Sequence, residues 1–374
     1  MDTKTRVVVI GSGIAGASTA YHASRLGADT VLVDRADEGQ ATAAGAGILN
    51  PWSSGVTDPD WHRLAGAAAR YYPRLVAELA EGGETDLGYR RVGALRLADD
   101  EAELAALHRL VLDRAATAPE AGEISVLSGA DAKELFPPLR GDAPAVHIAG
   151  AARVDGRLLR DALRRAAISA GCTVRSGSAR LVSGGARITG VAVDGAPIAA
   201  DAVVVAAGAW CPELLDPVGV RVAVTPQRGQ IVHLRLSGVD TSHWPVVLPS
   251  GSHYLLAFDD SRVVVGATRE TGAGFDHRVT AAGLAEVLTE ALSVAPGLAD
   301  ATHVTTRIGF RPAGPDIRPL LGRVSGLDGL VVATGLGASG LTFGPYVGRL
   351  AAELALGRQT ETDLTAYDPQ RGAA

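Results

Sequence analysis

Three glycines and an aspartate carry the first chemical statement of this sequence. Gly11, Gly13 and Gly16 form a G-x-G-x-x-G pattern between a β-branched run at 6–10 and an alanine-rich stretch at 14–26. The first glycine permits a tight turn and the second lets a pyrophosphate approach the backbone. The third brings the helix close onto the strand. The helix start then offers free N–H groups and a positive dipole end to phosphates. Asp34 follows at about the 20-residue interval such units show, closing a second strand at 30–33, where its carboxylate can bind ribose hydroxyls. Strand, helix, strand and acid in register point to a bound dinucleotide. The pattern does not by itself separate NAD from FAD.

The elements that must hold this unit recur far along the chain. A parallel-strand signal returns at 202–206, followed by Ala207 and Gly208, and again at 330–333, followed by Gly335 and a helix through Leu356. An amphipathic helix at 156–170 leads to a strand at 172–175, and all these strands are expected in one sheet. Between them, 222–236, 246–258 and 262–268 read as short β-rich stretches of a one-faced antiparallel sheet, with helices at 99–118 and 281–293 to cover it. The expected fold class is α/β: a discontinuous Rossmann-like nucleotide domain (1–80, 145–215 and 305–374) with an inserted α+β substrate domain (81–144 and 216–304).

Composition narrows the function classes. The chain has 374 residues, 47% of them hydrophobic, which is ample for a core. A net charge of −6 argues against a nucleic-acid or anionic-membrane surface. Cys172 and Cys211 make neither a disulfide framework nor a metal cluster, no H-x-x-H is present, and no serine sits in a nucleophile elbow. No metal is expected. Residues 1–5 lead straight into a strand, leaving no room for a signal peptide. The longest apolar runs, such as 202–210, fall short of the roughly 20 residues of a spanning helix. The expectation is a cytoplasmic protein without a transmembrane segment, and the sequence leaves a homo-oligomer open.

Four further segments extend the pattern: 41–51 (ATAAGAGILNP), 201–210 (DAVVVAAGAW), 307–322 (RIGFRPAGPDIRPLLG) and 335–345 (GLGASGLTFGP). In order and spacing they resemble the D-amino acid oxidase superfamily of flavoproteins, nearest to its glycine oxidase, sarcosine oxidase and D-amino acid dehydrogenase branch. The resemblance covers nearly the whole chain and is weakest over 80–150. It implies an FAD held by Gly11, Gly13, Ile14, Ala15, Gly16, Asp34 and Arg35, with Thr42, Ala46, Gly47 and Ile48 toward the flavin. It further implies that Ala207, Gly208 and Trp210 line the cofactor and that Val174 sits near the adenine. Gly337, Ser339, Gly340, Leu341 and Thr342 would bring a helix N-terminus to the flavin pyrimidine edge. There, backbone N–H groups can stabilise the negative charge that hydride transfer leaves at N1/O2.

The same resemblance makes Arg311, in the Arg-Pro step, the partner of a substrate carboxylate, since a guanidinium gives two parallel hydrogen bonds. It makes Tyr254 a residue roofing the pocket. His253, Arg228, Trp52 and Asn50 are weaker candidates: strand alternation turns His253 to the other face, and Arg228 reads equally as architectural. His22 and His108 read as surface residues. Departures from the family pattern also speak. No cysteine lies between 212 and 374, and Ile48–Asn50 stand where other branches carry a flavin-linking histidine, so the FAD is expected to be non-covalent. No lysine follows Lys133 to assist oxygen, and Ala338 stands where glycine oxidase has a second arginine. The implied reaction is oxidation of an amine bearing a carboxylate, with oxygen or another electron acceptor. A flavin-dependent 2-hydroxy acid or amine dehydrogenase using a quinone, and a non-catalytic dinucleotide-binding module, stay open as alternatives.

Overall fold

The computed structural model describes residues 4–373. Two sheets organise the chain. The first runs Leu320–Arg323, Leu330–Thr334, Ala202–Val205, Arg6–Ile10, Asp29–Asp34, Thr173–Ser176. It is parallel except for the first of these, which pairs antiparallel. The distant strand signals thus do converge on one sheet. Its four inner strands are valine-rich and buried because both faces are covered. Val7 and Val9 face the helices Ile14–Arg25, Gly156–Ser169 and Gly340–Ala355, while Val8 and Ile10 face a meander of three strands over 179–199. The chain leaves Arg6–Ile10 to one side and returns on the other, so a crevice opens at the carboxyl ends of these strands.

The second sheet has nine strands, antiparallel except where Val246–Leu248 runs parallel to Ala94–Leu97. Its backbone is a long pair, Thr225–Arg235 with Thr302–Ala313, in which Gly229 faces Gly309 and Gln227 faces Arg311. One face packs under the helix Ala281–Val294 through Val232, Leu255 and Val265. The other, with Ile231, Tyr254 and Leu256, turns toward Ala44, Ala46 and Ile48 of the first unit. Pairing moves two expected boundaries. Ala145–Ile148 and Thr302–Ala313, assigned above mostly to the nucleotide domain, hydrogen-bond into this second sheet. Among the described residues no helix is long and apolar enough to cross a membrane.

Two histidines depart from the surface expectation, whereas His108 is half-buried on Glu101–Ala115. His22 is buried where the first helix meets Pro59–Glu81, and its Nε2 lies 2.6 Å from the Tyr71 hydroxyl. His233 is buried inside Thr225–Arg235 with both ring nitrogens unpartnered among the described residues. Burial, reinforced by nearby arginines, holds each at a pKa of about 3. Because the folded value lies below the unfolded one of about 6.5, each histidine must take up a proton on unfolding. Their contribution is therefore complete above about pH 6.5 and is lost as pH falls toward 3. His233→Leu is expected to shrink the loss of unfolding free energy between pH 7 and pH 5 by about 2 kcal/mol, read from urea titrations. An unchanged loss would show that His233 is not neutral in the fold.

Candidate active site

The crevice between the two sheets holds a cavity of about 440 Å³, within the roughly 300–1,000 Å³ typical of organic-ligand sites. At its floor, Gly11 turns the chain at φ +97°, where a Cβ would lie 2.6 Å from the Ala206 carbonyl oxygen. Gly13 lines the cavity directly. Gly16 does not; a Cβ there would stand 1.8 Å from the Gly11 carbonyl oxygen, so this glycine sets how closely helix and strand approach. The Asp34 carboxylate accepts from the Ser12 and Ala36 amides and from Gln40 Nε2, which fixes it at the strand end. Arg35 also lines the wall, paired with Asp37 and Glu213.

Helix capping singles out this cavity. Among the described helices of seven residues or more, Pro59–Glu81, Glu101–Ala115, Gly129–Leu135, Gly156–Ser169 and Ala281–Val294 start under side-chain caps from Asp58, Asp100, Ser128, Asp155 and Thr280. Ile14–Arg25 and Gly340–Ala355 have no cap from the residue before them, and both open on the cavity. Thr42 Oγ1 accepts from the Ile14 amide (3.0 Å), but the next amides have no intrahelical acceptor. Two helix N-termini thus offer N–H groups and positive dipole ends to one cavity, a setting for two separate concentrations of negative charge.

The walls are set by the same close packing. Gly47 takes φ +91° against the Val154 carbonyl, which brings Ala46 and Ile48 to the lining. Thr342 Oγ1 donates to the Ile48 carbonyl (3.1 Å), and Tyr72 donates to the Leu341 carbonyl, pinning the C-terminal helix start. Thr334 donates to the Gly208 carbonyl (2.8 Å) beside Ala207. Trp210 stacks on Phe275 with ring centroids 4.9 Å apart, and Phe275 meets Phe310 edge-on. Gly337, Ser339 and Gly340 complete this side.

Arg311 reaches the cavity from the second sheet. Its guanidinium lies across Gly229, where a Cβ would sit 2.6 Å away, and Nη1 donates to the Thr268 carbonyl (3.0 Å). Burial pulls its pKa down, and no acid pairs with it among the described residues, the nearby Glu270 being bound by Arg228. The Tyr254 hydroxyl lies over Gly266, whose missing Cβ leaves it room, and burial pushes the phenol up to about 12 despite Arg311. It stays protonated at neutral pH and can donate a hydrogen bond. The structure brings these two together on the wall built by the second sheet.

A family model described as FAD dependent oxidoreductase matches residues 6–354. The chain belongs to this FAD-dependent oxidoreductase family. An uncharacterized oxidoreductase of Bacillus subtilis is 49% identical over 97% of this chain and 98% of its own length. A glycine oxidase of Pseudomonas aeruginosa is 30% identical over 97% and 98%. The crystal structure of iminodiacetate oxidase from Chelativorans sp. BNC1 superposes with a TM-score of 0.95, at 54% identity, covering 97% of this chain and 99% of that one. The cofactor of the family, FAD, has a pyrophosphate and a flavin edge that develops negative charge, and the two uncapped helix ends suit both.

Not every expected residue reaches the cavity. Val174 pairs opposite Leu32 and packs into the helical side of the first sheet; Gly177, Ser178 and Ala179, just past the strand end, line the cavity instead. Trp52 is buried beside the lining residues Asn50 and Ser53. Arg228 is architectural, bound to Glu270 and Asp276. His253 borders the cavity, contrary to expectation, although its Nε2 turns to Glu286 (3.5 Å) on the covering helix. The sequence reading missed Asp37, Gln40, Glu213, Arg96 and Arg269, all of which line the cavity. The first two stand within six residues of Asp34 and could have been sought there. The others come from distant segments and carry no local signal.

Proposed function

We propose that this enzyme oxidises an amine that bears a carboxylate, with Arg311 binding that carboxylate and FAD held non-covalently. The observation that carries the reading is the Arg311 guanidinium: half-buried, facing the cavity, and held by the Thr268 carbonyl and the Tyr254 hydroxyl with no acid paired to it among the described residues. A partly desolvated cation without an acid costs free energy that an arriving carboxylate offsets. Gly11, Gly13, Ala15 and the start of Ile14–Arg25 would hold the pyrophosphate, Asp34 the ribose, and Gly340, Leu341 and Thr342 the flavin pyrimidine edge. Gly177–Ala179 take the adenine side that Val174 was expected to take. Among the described residues no cysteine lines the cavity, which supports non-covalent binding.

When bound, FAD would supply the two-electron oxidation of the substrate carbon–nitrogen bond, the imine product being hydrolysed after it leaves the site. The protein's part is to orient and exclude water. Arg311 fixes the carboxylate bidentately and Tyr254 donates from above, so the α-carbon is positioned without any catalytic base. The glycine oxidases and the iminodiacetate oxidase among the relatives act, by name, on amines of this kind, which supports both the substrate class and oxygen as acceptor.

The test is anaerobic mixing of the FAD-loaded enzyme with amino acids, N-substituted glycines and 2-hydroxy acids while following flavin absorbance, then admission of air. Bleaching by the amines and prompt return of colour in air are expected. Bleaching by 2-hydroxy acids alone would overturn the substrate class, and slow return of colour would replace oxygen by another acceptor such as a quinone.

A further inference from the structure

We propose that the substrate carries a second carboxylate and that Arg269 receives it; this rests on the amine-oxidation reading above. Charge is distributed unevenly along the cavity. Its acidic lining residues, Asp34, Asp37 and Glu213, all stand at the ribose end, where Arg35 balances two of them. The wall built by the second sheet is lined by Arg96, Arg269 and Arg311 and by no acid among the described residues.

The three arginines differ in what they already hold. Arg96 donates to the Leu248 and Pro249 carbonyls and so fixes the loop that leads to Tyr254. Arg311 donates to the Thr268 carbonyl. Arg269 has no ion pair and no side-chain hydrogen bond among the described residues, although Glu270 is its neighbour in sequence. The reason is topological. Glu270 turns into the sheet, where Arg228, Gln230 and Thr268 donate to it. Arg269, between Thr268 and Glu270, stays solvent-exposed and lines the cavity. It lies close enough that its charge acts on both Arg311 and Tyr254.

Two guanidiniums sharing one cavity wall without an acid repel each other. A monocarboxylate neutralises one of them; a dicarboxylate neutralises both. Ala338, on the C-terminal side of the cavity, offers no competing cation, so a second carboxylate is drawn to the side of the second sheet. The substrate class is therefore a dicarboxylic amine. The second acid stands either on the other arm of a secondary amine, as in N-carboxymethyl amino acids, or on the side chain of an acidic amino acid.

The experiment compares ligands that differ by one carboxylate, on the FAD-loaded wild type and Arg269→Gln. Diglycolate and methoxyacetate, ethers with no amine to oxidise, are titrated by calorimetry. Iminodiacetate, aspartate and sarcosine are followed by flavin bleaching. In the wild type, diglycolate should bind about 10- to 100-fold more tightly than methoxyacetate, the span of one charge-assisted hydrogen-bonded pair. Arg269→Gln should erase that preference by weakening diglycolate far more than methoxyacetate or sarcosine, and be largely rescued by Arg269→Lys. The ratio of iminodiacetate to aspartate KM tells which arm carries the second acid. Equal binding of the two ethers by the wild type, or equal weakening of both in Arg269→Gln, overturns the proposal. Retained diglycolate preference with no bleaching by any amine would support the second carboxylate site and sink the amine-oxidation reading instead. Bleaching by all the amines without any preference would do the reverse.

Discussion

Arg311→Met is expected to lower kcat/KM for the amine substrate by about 30- to 5,000-fold, the equivalent of about 2–5 kcal/mol for truncating one partner of a buried charge pair. The flavin content of the purified protein should not change, because Arg311 enters from the second sheet and the dinucleotide cradle is built by the first. Methionine keeps the volume across Gly229, so what is lost is the planar fork and its charge. If the carboxylate is held equally in ground and transition states, the loss appears in KM; if it positions the α-carbon, kcat falls as well. Arg311→Lys should recover only part of the rate, since an ammonium cannot make the bidentate pair. Stopped-flow bleaching under anaerobic conditions separates these cases. An Arg311→Met enzyme with wild-type kcat/KM would show that Arg311 does not hold the substrate carboxylate.

What could be read in the sequence was local. The glycine turn, its strand, its helix and Asp34 lie within one stretch of chain, and each is demanded by the backbone beside it. The missing cap of the first helix was also visible, since Gly13 has no side chain; that of the second was not, since Ser339 is a favoured capping residue that here caps nothing. What escaped depends on pairing between distant segments. Thr302–Ala313 joins the second sheet because it pairs along Thr225–Arg235, and only that places Arg311 across from Gln227. Arg269 has no ion pair among the described residues because Glu270 is claimed by Arg228, 42 residues earlier. His22 reads as a surface histidine on its own helix and becomes buried only when Tyr71 packs over it. Val174 was placed by the family resemblance, whereas the residues that line the cavity lie just beyond that strand's end, at Gly177–Ala179.

The dinucleotide cradle itself is most exposed at Gly16. A Cβ there would meet the Gly11 carbonyl oxygen at 1.8 Å, a backbone atom with no rotamer to escape into. Gly11 cannot yield, since it is wedged against Ala206. The helix Ile14–Arg25 must therefore lift off its strand, carrying its amides away from the phosphate position and opening the contact with Gly340–Ala355, where Gly348 already touches Ala15 and Ser18 closely enough to exclude a side chain. Gly16→Ala is expected to cost about 3 kcal/mol or more in unfolding free energy, at the upper end of overpacking changes. It should also yield protein that purifies without FAD and rebinds it at least 100-fold more weakly. Gly27→Ala provides the control. Gly27 ends the same helix at φ +92° with open space around it, so alanine there adds conformational strain alone, about 1 kcal/mol, and should leave flavin content intact. Thermal unfolding and the ratio of flavin to protein absorbance measure both variants. A yellow, stable Gly16→Ala protein would mean that the helix can shift without consequence, and that close helix–strand approach is not what forms the phosphate site.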